Sequence, residues 1–178
     1  GTGGRRGVAA HYSPQERAFA LAKNAGPGSI AHEWFHAFDH YIAQQAFADL
    51  PASRFASPEW LNQKATPVAH PLNDLLFACF RAVILDPTGD APSDLFSASA
   101  KADRASGILY YSRPEEMTAR AFEAFVQDAP IKNNFLVKGT KKSREAELGL
   151  YPSGSLRQRI NQAFARYFSA LGQALSPR

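Results

Sequence analysis

One short motif, His32-Glu33-Trp34-Phe35-His36, limits what this chain can fold into more than any other feature. Two histidines four residues apart lie one turn apart on the same face of a helix, so both imidazoles can reach a single metal ion. Glu33 would stand beside that ion without binding it, where its carboxylate can take a proton from water activated by the metal. The motif therefore predicts a hydrolase that uses Zn²⁺, with His32 and His36 as ligands and Glu33 as general base.

A helix over residues 30 to 47 is predicted to carry this motif. The turn signal at 24–29 precedes it, and Ser29 is a suitable N-cap. Its core face is predicted from apolar residues at helical spacing: Ile30, Trp34, Phe35, Phe38 and Ile42. His40 lies one turn beyond the second ligand, too far along a straight helix to bind the same ion, and is expected behind the ligands or at the surface. Asp39 is expected either to accept a hydrogen bond from a ligating imidazole or to be solvated.

A second predicted helix, which begins near Ser112, supplies the third ligand. Ser112 and Glu115 have the spacing of a capping box, in which the glutamate folds back onto the N-cap amide. Glu116 is then free to point across at the first helix, and two histidines with one glutamate form a standard catalytic zinc site. Glu116 is therefore the predicted ligand, although the helix dipole alone also favours an acid here. Glu123, two turns further along, is the alternative ligand.

Two other polar residues have less determined roles. Arg120, one turn after Glu116, can pair with Glu116, Asp39 or Glu123, or can be solvated. His70 has the right residue type for a metal ligand, but its loop next to a proline gives it no fixed direction. We therefore do not expect His70 to bind the metal.

The composition predicts one globular domain over residues 1–178, in which residues 1–8 are a flexible lead-in rich in glycine and arginine. Cys79 is the only cysteine, which excludes an intrachain disulfide, and it is expected in the core. The sequence contains neither an apolar run long enough to cross a bilayer nor a recognisable signal peptide. No membrane association is therefore expected, and a cytoplasmic location is favoured.

Positive charge is concentrated in the C-terminal third of the chain. The formal net charge is +4, and basic residues cluster at 138–144 and in the last predicted helix. This third can bind nucleic acid or another acidic partner, or can simply be solvated. Aromatic residues do not alternate with the lysines, as a surface that stacks nucleic-acid bases would require.

The other segments predict an α+β fold that is mostly helical. A strand-like run at 17–22 indicates a small β-sheet before the metal helix, and 72–85 is predicted as a buried helix. Turns or irregular connections are predicted at 9–14, 50–71, 86–92 and 132–149. The last helix has apolar core positions at helical spacing: Leu156, Ile160, Phe164, Phe168, Leu171 and Leu175. Its arginines are expected to point outward: Arg157, Arg159 and Arg166.

Two stretches, 26–41 and 110–125, resemble the first type of large polyvalent protein-associated domain, a zincin-like predicted metallopeptidase module. The segments 9–14 and 151–154 resemble the same family, which occurs in large proteins of phages, plasmids and other bacterial mobile elements. The resemblance implies a zincin-like (gluzincin) fold and a protein or peptide substrate, in the bacterial cytoplasm or after delivery into a target cell. It also implies that a strand before the metal helix pairs with the substrate backbone.

A more distant similarity links the chain to the catalytic domain of anthrax lethal factor. It rests on two patterns: His32-Glu33-x-x-His36-Ala37-x-Asp39 and Glu116-x-x-Ala119-x-Ala121-Phe122. The similarity implies Glu116 as third ligand and a tyrosine shortly before it that hydrogen-bonds the oxyanion. Tyr110 and Tyr111 both fit this role, and Tyr151 is a third candidate. Arg120 departs from the pattern, because lethal factor carries an acid there.

Together these features predict a zinc-dependent metallopeptidase that hydrolyses a peptide bond, with Glu33 and either Tyr110 or Tyr111 as catalytic residues. The alternative is a non-catalytic binding module, stabilised by zinc, that attaches to nucleic acid or to a host protein. The two predictions differ in whether Glu33 is required for the activity of the protein.

Overall fold

The computed structural model describes residues 10–16, 18–21, 29–131 and 133–176. The lead-in at 1–8 and the turn predicted at 24–28 lie outside these residues. The helices are α1 (Ile30–Ala46), α2 (Ala56–Glu59), α3 (Pro71–Ile84), α4 (Asp94–Ser106), α5 (Pro114–Asp128), α6 (Arg144–Glu147) and α7 (Gly154–Leu175). The strands are β1 (Ala10–Ser13), β2 (Ala18–Leu21), β3 (Phe47–Ala48) and β4 (Thr66–Pro67). The predicted α+β class, mostly helical, is therefore confirmed.

Helix α1 confirms the predicted helix around the metal motif, with Ser29 at its N-cap position. It ends where Phe47 becomes extended and pairs with Pro67. The predicted core face is only partly correct, because Phe35 is fully buried whereas Trp34 is 42% exposed. The hairpin of β1 and β2 and the short helix α2 pack on the other side of α1. Polar residues on that side are therefore buried as well: Glu33, His36, Asp39 and His40.

Helix α5 packs against α1 and begins at Pro114, with Arg113 as N-cap. The predicted capping box at Ser112 is wrong, because the Ser112 hydroxyl donates instead to the carboxylate of Asp103, at 2.5 Å. Small and apolar residues on α5 are fully buried: Met117, Ala119, Ala121 and Ala124. Their size allows the two helices to approach closely, which places the side chains of α5 beside those of α1.

Helices α3 and α7 pack against each other and against α5, and so complete the hydrophobic core. Helix α3 confirms the buried helix predicted at 72–85, and Cys79 is buried as expected. On α7, Ile160 and Phe164 are buried as predicted, but Leu175 is 75% exposed. The outward direction predicted for Arg157 is also wrong, since this residue is buried and pairs with Asp128.

The first sheet is a two-stranded antiparallel hairpin, in which Ala10 pairs with Leu21 and Ser13 pairs with Ala18. The strand predicted at 17–22 is therefore found as β2, whereas the turn predicted at 9–14 is mostly strand β1. Residues 133–149 are largely exposed as predicted, although Val137 and Thr140 are buried and the short helix α6 interrupts the predicted irregular connection. None of the described helices is long and apolar enough to cross a membrane.

Candidate metal centre

Helices α1 and α5 bring together three side chains, His32, His36 and Glu116, which we call the ligand cluster. The two imidazole Nε2 atoms are 3.0 Å apart. One carboxylate oxygen of Glu116 lies 3.2 Å from Nε2 of His32, and the other lies 3.5 Å from Nε2 of His36. These are the residues whose spacing in the sequence predicted a shared ion.

The separations within the ligand cluster fit a divalent metal ion. Ligands about 2.0–2.1 Å from a tetrahedral zinc ion lie roughly 3.3–3.4 Å from one another, close to the distances between these atoms. The hydrogen-bonding capacity also fits, because Nδ1 of His32 faces a carboxylate and must therefore carry a hydrogen. In the neutral imidazole, Nε2 then presents a lone pair to the Glu116 carboxylate, and a cation between them removes the repulsion.

The pKa values of His32 and Glu116 also indicate that the metal-free ligand cluster favours a positive charge. Burial acts to lower the pKa of His32, but hydrogen bonds with Glu116 and Glu123 raise it to about 10. Burial acts to raise the pKa of Glu116, whereas hydrogen bonds with His32 and His36 hold it well below the usual range. Without a metal ion, the cluster therefore retains a proton in its place.

Glu123 orients the imidazole of His32 through Nδ1, the ring nitrogen that does not face the other ligands. Its carboxylate accepts a hydrogen bond from Nδ1 of His32 at 2.5 Å, and its other oxygen accepts one from the Tyr151 hydroxyl at 2.8 Å. A carboxylate in this position fixes the tautomer of a metal-binding imidazole and makes its other nitrogen a better ligand. The structure thus places Glu123 outside the ligand cluster, contrary to its alternative prediction as third ligand.

The two tyrosines that precede α5 have different surroundings. Burial raises the pKa of Tyr110, and the charge of Glu116, a hydrogen bond with it and the charge of Glu33 raise it further. The charges of Glu116 and Glu33 thus act on the Tyr110 phenol. The ring of Tyr111 lies instead beneath the Arg120 guanidinium, 5.5 Å from its centroid.

The second histidine lacks the partner that the sequence suggested. Nδ1 of His36 is buried and has no hydrogen-bond partner within the part of the chain that is described. The Asp39 carboxylate accepts instead from the amide and the hydroxyl of Ser57, at 2.9 Å and 2.5 Å. Burial raises the pKa of Asp39 to about 6, against the hydrogen bonds from Ser57, which lower it. Asp39 is thus neither solvated nor bonded to a ligating imidazole.

Two other predicted positions lie away from the ligand cluster. His40 is buried rather than at the surface, where its Nε2 donates to the Ala52 carbonyl at 2.6 Å and its Nδ1 is 3.1 Å from the Tyr12 hydroxyl. His70 is the N-cap of α3, where its Nδ1 accepts from the Leu72 amide at 3.2 Å. As predicted, neither is in a position to bind the same ion.

Sequence reasoning missed Asp103, which holds the loop that carries both tyrosines. Its carboxylate accepts the backbone amides of Tyr110, Tyr111 and Ser112, at 3.1, 2.7 and 2.9 Å. These hydrogen bonds lower the pKa of Asp103, although its desolvation opposes them. No local motif marks this residue, because its partners lie seven to nine positions later in the chain.

The protein thus has a mostly helical α+β fold and a cluster of two histidines and one glutamate that could hold a metal ion. A family model described as large polyvalent protein-associated domain 1 matches residues 102–175. The match agrees with the resemblance that the sequence suggested for this part of the chain. The matched part contains Glu116 and Glu123 but not the two histidines of α1. No curated protein and no solved structure matches the chain.

Proposed function

We propose that this protein is a zinc-dependent metallopeptidase of the zincin-like, gluzincin type, which hydrolyses a peptide bond. The observation that carries the proposal is the meeting of His32, His36 and Glu116 at mutual distances of 3.0 to 3.5 Å. Two imidazoles and one carboxylate are a donor set that catalytic zinc sites use. Glu33, 8% exposed and next to His32 in the chain, completes the arrangement.

A zinc ion held by these three side chains would act as a Lewis acid that polarises the substrate carbonyl and acidifies water. The Glu33 carboxylate takes a proton from the attacking water and later delivers it to the leaving amine. Its near-complete burial keeps bulk solvent away from this proton, so that the same carboxylate can both accept and return it.

Tyr110 is the tyrosine that supports the oxyanion in this proposal. Its pKa is raised, so the phenol is protonated at neutral pH and can donate a hydrogen bond to the charge that develops on the carbonyl oxygen. Tyr111 lies under Arg120, and the Tyr151 hydroxyl already donates to Glu123. We therefore assign this role to Tyr110, because the charges of Glu116 and Glu33 act on its phenol.

The variant Glu33→Gln tests this proposal. It is expected to bind zinc as the wild type does, while hydrolysis falls by about 10²–10⁴-fold because the general base is lost. The measurement uses zinc-loaded protein and a mixture of unrelated peptides, with new termini identified by mass spectrometry. Glu115→Gln is the matched control, because Glu115 lies on the same helix as a ligand but outside the ligand cluster. Full activity of Glu33→Gln, or no hydrolysis by the wild type, would overturn the proposal.

The alternative of a basic binding module gains no specific support from the positively charged residues. Arg157 is buried against Asp128, and Arg159 donates to the carbonyls of Ala82 and Leu85. Lys141 also pairs with Asp128, at 2.7 Å. Three basic residues of the C-terminal third are therefore bound within the fold itself.

A further inference from the structure

Arg120 lies between the functional carboxylates of α5, one turn after Glu116 and one turn before Glu123. Its side chain is 5% exposed, although burial of a guanidinium is costly unless its donors are satisfied. Among the described residues it forms no ion pair, so the predicted pairing with Glu116, Asp39 or Glu123 is wrong. The predicted solvated position is wrong as well.

The guanidinium of Arg120 binds two segments that each carry a tyrosine of the site. Its Nε donates to the Leu150 carbonyl at 2.9 Å, and Nη2 donates to the Tyr111 carbonyl. Leu150 immediately precedes Tyr151, and Tyr111 immediately follows Tyr110. A third hydrogen bond, from Nη2 to the Ser99 hydroxyl at 3.2 Å, ties the same group to α4.

One of these contacts connects the buried cation to the carboxylate that orients His32. Tyr151, in one of these segments, donates to the Glu123 carboxylate at 2.8 Å, and the other oxygen of Glu123 accepts from Nδ1 of His32. The planar fork of an arginine fixes the direction of each bond it donates, which a flexible ammonium group does not. Through Leu150 and Tyr151, Arg120 is thus two hydrogen bonds away from Glu123, the group that orients His32.

We propose that Arg120 is a positioning residue of the metal centre, which fixes the segments that carry Tyr110 and Tyr151 and holds Tyr151 against Glu123. In the described ranges of the chain it forms no hydrogen bond or ion pair with the ligand cluster, and it acts through the two segments to which it donates. The effect on zinc rests on the proposed function, whereas the positioning of the two segments is independent of it. The two parts are therefore tested separately.

Hydrogen exchange of the metal-free protein tests the positioning. In Arg120→Lys, the amides of Tyr110, Tyr111 and Ser112, which Asp103 holds, are expected to exchange at least about tenfold faster, together with that of Leu150. The matched control is Arg159→Lys, because Arg159 also donates to two backbone carbonyls but at the end of α3. Unchanged exchange in Arg120→Lys, or the same change in both variants, would overturn the proposal.

Zinc affinity tests whether positioning reaches the ligands. Arg120→Lys keeps the charge and is expected to weaken zinc binding about 10–100-fold, as loss of a group that supports metal ligands does. In the Tyr151→Phe background the same substitution should cost no more than about threefold, since the hydroxyl through which it acts is absent. An equal loss in both backgrounds indicates a general structural role and overturns the proposal.

Two controls keep these outcomes separate. If the wild type binds no zinc, the proposed function fails, and hydrogen exchange still decides the role of Arg120. If Arg120→Lys does not fold by circular dichroism, Arg120→Gln replaces it, because the amide can still donate to one of the two carbonyls. The same comparison of exchange and of zinc affinity between backgrounds then applies to that variant.

Discussion

At the scale of single residues, the imidazole of His32 has a carboxylate at each of its nitrogens. Glu123 lies 2.5 Å from Nδ1 and Glu116 lies 3.2 Å from Nε2. Two acids around one histidine stabilise either an imidazolium or a neutral imidazole bound to a cation. A proton and a metal ion therefore compete for the same site.

This competition predicts how zinc affinity depends on pH. The pKa of His32 in the metal-free protein is about 10, so below this pH zinc must displace a proton. The apparent affinity should rise about tenfold per pH unit from pH 7 to 9, whereas a histidine with an ordinary pKa near 6.5 would give a plateau above about pH 7. Competition with a chelator of known proton affinity measures the slope.

Glu123→Gln is the control for that titration. The substitution removes one of the two charges that raise the pKa of His32, so the plateau should begin at a lower pH. A wild-type affinity that is constant between pH 7 and 9 would contradict the interpretation of His32.

The residues of the site differ in how far the sequence could predict them. His32, His36 and Glu116 follow from helical spacing, because each position is fixed by its own helix. Asp103 and Arg120 could not be predicted in the same way, because their hydrogen bonds go to loop amides and carbonyls at distant positions. Backbone partners leave no pattern of residue types in the sequence.

At the scale of secondary-structure elements, the contact between α5 and α7 depends on a charged pair that the sequence did not suggest. Arg157 of α7 donates to the Asp128 carboxylate at 2.6 Å and also to the Ala124 carbonyl at 3.0 Å. Helical spacing placed Arg157 on the outer face. The loop at 132–149 changes this, because Thr140 packs over the arginine and accepts a hydrogen bond from it at 2.9 Å.

The substitution Asp128→Asn should lower the free energy of unfolding by about 1–3 kcal/mol, because hydrogen bonds between charged groups are lost. Urea denaturation at neutral pH measures this difference. Burial acts to raise the pKa of Asp128, but its partners lower it below the ordinary 3.8. The stabilisation is therefore present above about pH 4 and is lost as the pH falls further.

Asp90→Asn is the matched control for Asp128→Asn, because Asp90 is an exposed residue in a turn. Its substitution should change the stability by less than about 0.5 kcal/mol. Equal effects of the two variants would show that Asp128 does not stabilise the packing of α5 and α7.

The sequence predicted which helices exist more reliably than it predicted where they begin or which residues they contact. Periodicity identified α1, α3 and α7, because each has a long apolar face that must be buried. The start of α5 was shifted, since the Ser112 hydroxyl is taken by Asp103, which no local rule for capping can anticipate. Strand β1 was also missed, because Ser13 and Pro14 at its end are typical turn residues.

At the scale of the whole molecule, an aromatic core holds the two ligand helices in register. Phe35 of α1 lies 5.0 Å from Phe122 of α5 and 5.8 Å from Phe164 of α7, measured between ring centroids. These rings lie on the side of α1 and α5 that faces α7, so that one packed interface fixes the relative position of His32, His36 and Glu116. His32 and Glu116 are 84 positions apart in the chain, and the core brings them together.

The most direct test of this account is the zinc content of the purified full chain, determined by elemental analysis after dialysis. Wild type and Glu115→Ala are expected to retain about one zinc ion per chain, whereas Glu116→Ala should lose it, because only Glu116 belongs to the ligand cluster. Glu115 is the matched control, as an acid in the same first turn of α5. A Glu116→Ala variant that retains zinc as fully as Glu115→Ala would contradict the account.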